Sequence, residues 1–218
     1  DDLFEKKVLE IIMKNPEVIE KSMKLYVEKK RKEQENKQLA DSLKNRYQVN
    51  FGASPTLGKK DAKYQLVVFT DFQCPYCKKG NETIQTLKEE YGDDLLIIHK
   101  NYPLAFHDQA KPAAKAALAA HQQNKFFEYS ELLFKNQNKL SNDLYIELAK
   151  DLKLDIGKFK KDMGSDEVQK LLDQDKKDAT EVKVSSTPNF ILNGVKIAGA
   201  YPLEYFEKII ESLDTNNK

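Results

Sequence analysis

The chain has no tryptophan, and only three histidines and two cysteines in 218 residues. Two cysteines cannot make a disulfide-rich scaffold, and a zinc site of four cysteines is excluded. No apolar run approaches the roughly 18 residues that a membrane-spanning helix needs, which argues against an integral membrane protein. An excess of one charge is also missing: 36 Lys+Arg face 35 Asp+Glu, a formal net charge of +1. No global field draws the chain to nucleic acid or to an anionic membrane. The sequence starts at Asp1 with neither an initiator Met nor a signal-type apolar segment. That start says nothing by itself about export.

What is present is charge. Charged residues make up 33% and apolar ones 40%, so part of the chain is expected to be exposed helix rather than core. The first 47 residues fit this. Phe4, Ile11, Val18 and Leu25 recur every seven residues, with Val8, Ile12, Ile19, Met23 and Tyr26 beside them. This is helical periodicity. Asn15-Pro16-Glu17 reads as a break and restart, with proline at the first position of the second helix. Two amphipathic helices are expected over roughly 2–14 and 16–28. Residues 29–48 form a charged segment, either solvated helix or flexible linker, in which Lys29 to Gln38 contains no apolar residue. Residues 29–47 carry seven basic and three acidic side chains, but no interleaved aromatics of the kind nucleic-acid surfaces use. Residues 1–28 are expected to bury their stripe against copies of themselves, the alternative being that it packs back onto the rest of the chain.

Residues 49–218 have the length of one substantial domain. Tyr64 to Asp71 (YQLVVFTD) and Leu95 to Lys100 (LLIIHK) read as buried strands, joined by a helix that ends at Gly92. Strand, helix and strand at this spacing predict a parallel βαβ unit. From about 108 to 181 four consecutive helices are expected. The Ala-rich stretch at 110–120 reads as close helix packing. Strand character returns at Asn189–Leu192 and Val195–Ile197, separated by the hairpin signal Asn193-Gly194. A last helix is expected over Leu203 to Leu213.

Both cysteines lie in one tetrapeptide, Cys74-Pro75-Tyr76-Cys77, between the first strand and its helix. A helix N-terminus presents unpaired N–H groups and the positive end of the helix dipole, which favour a Cys74 thiolate. Cys77 lies one turn further on, within disulfide reach, so Cys74 can attack a substrate disulfide and Cys77 can resolve the mixed disulfide. Pro75 suits the first helical turn. Three other readings compete: half of a zinc site, a structural disulfide, and a copper(I) site made by two soft thiolates. His99, His107 and His121 show no ligand spacing. Over a hundred residues later, Thr187-Pro188 immediately precedes a strand. Proline removes a ladder donor there, and a cis peptide in a tight turn would explain its position.

Together, FTDFQCPYC and VSSTPNFILNGVKIAGAYP resemble the DsbA-like thioredoxin superfamily over roughly 64–218. The resemblance implies an α/β thioredoxin fold with a helical insertion. It also implies that Cys74 is the nucleophile, Cys77 the resolving thiol, and Thr187-Pro188 a cis-proline loop beside the thiolate. Pro75, Tyr76, Thr187 and Pro188 are the expected substrate-facing residues. Neither a cofactor nor a resident metal is implied. Two positions depart from the pattern. Val68 stands six residues before Cys74, where many relatives carry a buried acid, and Asp71 is a weak substitute. Tyr76 stands where strongly oxidising members carry histidine, so a weaker oxidant is expected. Phe72, Tyr102, Phe106 and Tyr201 are further aromatics near the motifs that either line a substrate cleft or, as most aromatics do, belong to the core.

The N-terminal helices are similar in architecture to the oligomeric suppressor-of-copper-sensitivity C and Com1-like disulfide isomerases. That similarity implies a homo-oligomer, dimer or trimer, acting in the periplasm or otherwise exported. Its expected partners are disulfide-containing or unfolded proteins and a membrane redox partner that resets the cysteines, with no nucleic acid. The alternatives are a dithiol oxidase, a copper(I)-binding protein, and a helical adaptor whose CxxC is incidental.

Overall fold

The computed structural model describes residues 2–215. Asp1 and residues 216–218, at the outer ends of the expected segments, lie outside the described residues. The chain divides into two compact units, Asp1–Lys44 and Asn45–Lys218.

The first unit holds α1 (Asp2–Lys14) and α2 (Pro16–Lys44). Asn15 separates them: its side-chain amide donates to the Ile11 carbonyl, and its own carbonyl accepts from Val18 N–H. Pro16 then opens α2, where its missing N–H costs no bond. α2 runs unbroken through the charged stretch, so that stretch is helix and not flexible chain. Ion pairs one turn apart support it, Lys24 with Glu20, Lys32 with Glu28 and Arg31 with Glu35. Every side chain from 2 to 34 is exposed. Phe4, Ile11, Val18 and Leu25 are each more than half exposed.

The second unit is built on a five-stranded sheet in the order β1-β3-β2-β4-β5. β1 is Thr56–Leu57, β2 Tyr64–Thr70, β3 Leu95–Asn101, β4 Asn189–Leu192 and β5 Val195–Ala198. β2 and β3 are parallel, joined by α3 (Pro75–Tyr91); the other pairs are antiparallel. β2 and β3 are buried on both faces except for half-buried Gln65, as a parallel pair covered by helices requires. Val67, Phe69, Leu96, Ile98 and Ile191 pack with Ala179, Val182 and Val184 on one face. The opposite face carries Val68 and His99 toward α3, where Gly80 lets the helix sit close to the sheet. A Cβ at Gly80 would lie 3.0 Å from Phe190 and 3.3 Å from Pro188.

Between β3 and β4 come α4 (Ala110–His121), α5 (Phe126–Lys135), α6 (Asn142–Asp151), α7 (Ile156–Met163) and α8 (Asp166–Glu181). This is five helices, not four. α7 is short and contains Gly157, which hides it from a periodicity reading. Its start is nevertheless written in the sequence, because the Asp155 carboxylate accepts from Lys158 N–H at 2.9 Å. Ser141 and Ser165 cap α6 and α8 in the same way. α4 is the central helix of this layer, with Ala113, Ala116, Ala117 and Leu118 fully buried. Alanine lets neighbouring helix backbones approach it.

Asn193 and Gly194 turn the β4–β5 hairpin at φ 44° and 88°, the left-handed pair that such a turn demands. α9 (Leu203–Thr215) closes the chain, with Phe206 edge-on to Phe190.

One buried polar cluster was not foreseen. Lys100 is fully buried, its ammonium 2.6 Å from Asp178 and 3.5 Å from Asp175 on α8. Asp175 also accepts from Asn101 N–H at 2.8 Å. The cluster ties α8 to the end of β3, the end from which the next loop runs to the site.

Candidate redox site

Cys74 is the N-cap of α3 and Pro75 its first residue; the Cys74 backbone is extended and its carbonyl accepts from Cys77 N–H at 3.0 Å. Both cysteines are free thiols and both are buried. The sulfurs differ in their proton affinity. The Cys74 thiol is pulled down to about 5, first by the hydrogen bond from the Cys77 thiol and then by Thr187 and the backbone N–H groups of Cys77 and Tyr76, against the opposing effect of burial. The Cys77 thiol is pushed up, first by burial and then by its hydrogen bond to Cys74. A helix N-terminus alone was the expected source of the Cys74 anion. The larger contribution comes from the partner thiol.

The Thr187–Pro188 peptide is cis. Cys74 Sγ lies 3.6 Å from the Thr187 carbonyl oxygen. The Thr187 hydroxyl is buried without a full hydrogen bond and stands close enough to both sulfurs to favour their anions. The structure thus brings together Cys74, Cys77, Thr187 and Pro188, residues more than a hundred positions apart. Pro75 and Tyr76 lie between the sulfurs in sequence, and the Tyr76 ring is 69% exposed.

The segment leading into Cys74 is clamped. The Asp71 carboxylate accepts from Gln73 N–H, Leu104 N–H and His107 Nδ1 at 2.8, 2.9 and 2.7 Å. Asp71 N–H points at Cys77 Sγ at 3.4 Å. The carboxylate thus forms the turn before Cys74, its oxygens taken by Gln73, Leu104 and His107. Gln73 Oε1 accepts from Gln109 N–H at 2.7 Å. Gln137 Nε2, from the insertion, donates to the carbonyls of Phe72 and Cys74 at 2.7 and 3.0 Å. His107 and Gln137 were not identified from sequence, because their partners are tens of residues away. The pattern Asp71-Phe72-Gln73, two side chains able to lock a turn before CxxC, was the only local signal.

The expected aromatic cleft is corrected in part. Phe72 is 1% exposed and packs in the core against His99 and Phe134. Tyr102 packs on the sheet core, and Tyr201 stacks on Tyr205. Phe106 stands out at 76% exposed. No group of three or more His, Cys, Asp or Glu suited to a metal ion occurs among the described residues.

The Thioredoxin family model matches residues 50–212, three quarters of the chain and all of the sheet. The chain belongs to the thioredoxin family. Its fold is DsbA-like. It is 31% identical over 156 residues to the probable disulfide bond formation protein D of Bacillus cereus, covering 66% of this chain and 72% of that protein. The catalytic domain of Proteus mirabilis ScsC is similar in structure, with a TM-score of 0.64 and 27% identity, covering 81% of this chain and 96% of that domain. The Na(+)/H(+) antiporter NhaA 1 of Mycolicibacterium vanbaalenii is 32% identical over 159 residues, 71% of this chain. The thioredoxin-family chain spans about a quarter of that antiporter's length, 26%. No helix among its described residues is long and apolar enough to cross a membrane.

Proposed function

We propose that this chain is a thiol–disulfide oxidoreductase for exported proteins, working as an oligomeric disulfide isomerase or reductase with Cys74 as the attacking thiolate. The observation that carries the reading is the opposite displacement of the two thiols, Cys74 down to about 5 and Cys77 up. An anionic sulfur attacks a substrate disulfide. A protonated neighbour waits, which prolongs the mixed disulfide and allows the substrate to rearrange. Tyr76, Pro75, Thr187 and Pro188 hold the substrate segment beside Cys74. The exposed stripe on α1 and α2 joins copies of the chain, so that several sites engage one misfolded substrate at high effective concentration.

A second reading is favoured by the same Cys74 anion. A stabilised reduced thiolate makes the disulfide form more oxidising, which suits a dithiol oxidase. Copper(I) fits less well, since its second ligand would be Cys77, whose proton is held by burial.

Refolding of scrambled ribonuclease tests the proposal, run beside insulin reduction and oxidation of a reduced peptide. The full chain, residues 45–218 and Cys74→Ser are compared, with mass in solution measured by light scattering. We expect the full chain to be oligomeric and to refold scrambled substrate faster than residues 45–218. A monomeric full chain overturns the oligomer. Faster peptide oxidation than refolding moves the reading to oxidase. An active Cys74→Ser overturns both.

A further inference from the structure

The helical insertion meets the redox site through a short run of residues at the end of α5. Phe134 packs its ring against Phe72, with centroids 5.0 Å apart. Asn136 then closes the helix: it is the C-cap, and its side-chain amide donates to the Leu132 carbonyl at 2.9 Å. The next residue, Gln137, reaches the segment that leads into Cys74. Its Nε2 donates to the Phe72 carbonyl at 2.7 Å and to the Cys74 carbonyl at 3.0 Å. Both partners are acceptors, so the nitrogen end of the amide has to face them, and both of its N–H bonds are spent on backbone.

The turn does not need this amide in order to form. Cys74 N–H on the Asp71 carbonyl closes it at 3.1 Å, and Gln73 N–H on the Asp71 carboxylate supports it at 2.8 Å. The helix does not need it either. The Cys74 carbonyl already accepts from Cys77 N–H at 3.0 Å and from Lys78 N–H at 3.3 Å, the bonds with which a helix starts. What a third donor on that oxygen adds is control over the rotation of Cys74 itself. The residue sits at φ −76° and ψ 121°, with its sulfur 3.6 Å from the Thr187 carbonyl oxygen. Turning about its Cα–C bond would carry the sulfur away from the first N–H groups of α3, and the bond from Gln137 opposes that turn.

We infer that Gln137 is a positioning residue of the redox reaction: its amide locks the Cys74 backbone so that the sulfur stays within reach of the Tyr76 and Cys77 N–H groups at the start of α3. The inference rests on the reading of Cys74 as the attacking thiolate. Those two N–H groups help to draw the Cys74 proton affinity down, behind the Cys77 thiol and the Thr187 side chain. Loosening the residue weakens them and leaves the Cys77 thiol in place. Loss of the amide therefore raises the proton affinity by part of the whole displacement, about half a unit to one unit. Charge acts in the same sense. The amide hydrogens bring partial positive charge to two carbonyl oxygens whose negative ends oppose an anion at Cys74. A carboxylate in the same place cannot donate at neutral pH and adds a like charge. Gln137 thus serves the chemistry from 63 residues away in sequence.

The test follows iodoacetamide alkylation of Cys74 against pH in the reduced full chain, with the melting temperature of each variant measured alongside. Gln137→Leu removes the donor. Gln137→Glu keeps the shape and replaces the donor with a carboxylate. Asn138→Ala disturbs the exposed neighbour in the same turn. We expect the midpoint of the rate to rise by about half a unit to one unit in Gln137→Leu, further in Gln137→Glu, and not at all in Asn138→Ala. Equilibration with glutathione should show the disulfide of Gln137→Leu to be less oxidising, by about three- to tenfold in the equilibrium constant. Unmoved midpoints in both Gln137 variants overturn the inference, even where the melting temperature falls, because the amide is then structural only. A shift in Asn138→Ala equal to that in Gln137→Leu also overturns it. If Gln137→Leu does not fold, the nearly isosteric Gln137→Glu decides. A wild-type chain with no midpoint below neutral pH removes the Cys74 thiolate, and the inference falls with that reading.

Discussion

Alkylation of Cys74 across pH puts the site to a quantitative test. With its proton affinity lowered to about 5, Cys74 is about 99% thiolate at neutral pH, against about 1% for a thiol near 9. This hundredfold gain does not become a hundredfold faster attack. Nucleophilicity falls with pKa at a Brønsted slope of about 0.4–0.5, so four units cost about 40–100-fold. The two effects nearly cancel at neutral pH, and the advantage appears below it. Near pH 5 an ordinary thiol has lost another hundredfold of its anion, whereas Cys74 has lost about half. The iodoacetamide rate should therefore be flat from about pH 6 to 8 with a midpoint near 5. Replacing Cys77 by alanine deletes the largest contribution to the anion. A hydrogen bond to a charged group is worth about 1.5–3 kcal/mol, so the midpoint should rise by about one to two units. Cys77→Ser keeps a donor and should move it less. A wild-type rate that climbs steadily to pH 8, or an unmoved midpoint in Cys77→Ala, would refute the account of the thiolate.

Two further expectations follow from neighbouring groups. Tyr76 contributes a backbone N–H to Cys74 while its ring faces solvent. Tyr76→His should add a cation near the anion and make the disulfide more oxidising, by about 30 mV for each unit that the Cys74 pKa falls. Equilibration with glutathione measures this, and an unchanged or more reducing potential contradicts it. Asp175 is pushed up from 3.8 to about 6, first by burial, with Asn101 and Lys100 opposing. A folded-state pKa raised above the unfolded one gives stability that is complete below about pH 4 and is lost as pH rises through about 6. Between about pH 5 and about pH 7.5 this group alone should cost about 1.4 kcal/mol, roughly 3–6 °C in melting temperature. Asp175→Asn should flatten that part of the profile; an identical pH profile in the variant would show that Asp175 ionises normally.

Local chemistry made much of the fold legible. The β2–CPYC–α3 unit, the Asn193-Gly194 hairpin and the break at Asn15-Pro16 each rest on what a few adjacent residues can do. β1 was not visible because two residues carry no periodicity. α7 was missed because eight residues around Gly157 make a weak helix, although Asp155 marks its start. The partners of buried Lys100 were hidden for a different reason. A strand buried on both faces gives no alternation, so nothing in LLIIHK says that Lys100 and His99 face inward. The acids that receive Lys100 lie more than seventy residues away, three apart on one face of α8. The same distance hid the clamp around Cys74: the cysteines were plain, while Gln137 and His107 become partners only once the helical insertion has folded back.

The two hydrogen bonds from Gln137 give the inserted helices a grip on the carbonyl of Cys74 itself. A layer of scaffolding helices thereby holds one end of the dipole that begins α3. Changes to the turn between α5 and α6 would retune the thiolate while leaving all four residues of the CPYC tetrapeptide untouched, so reactivity in this protein can be adjusted from the helical insertion.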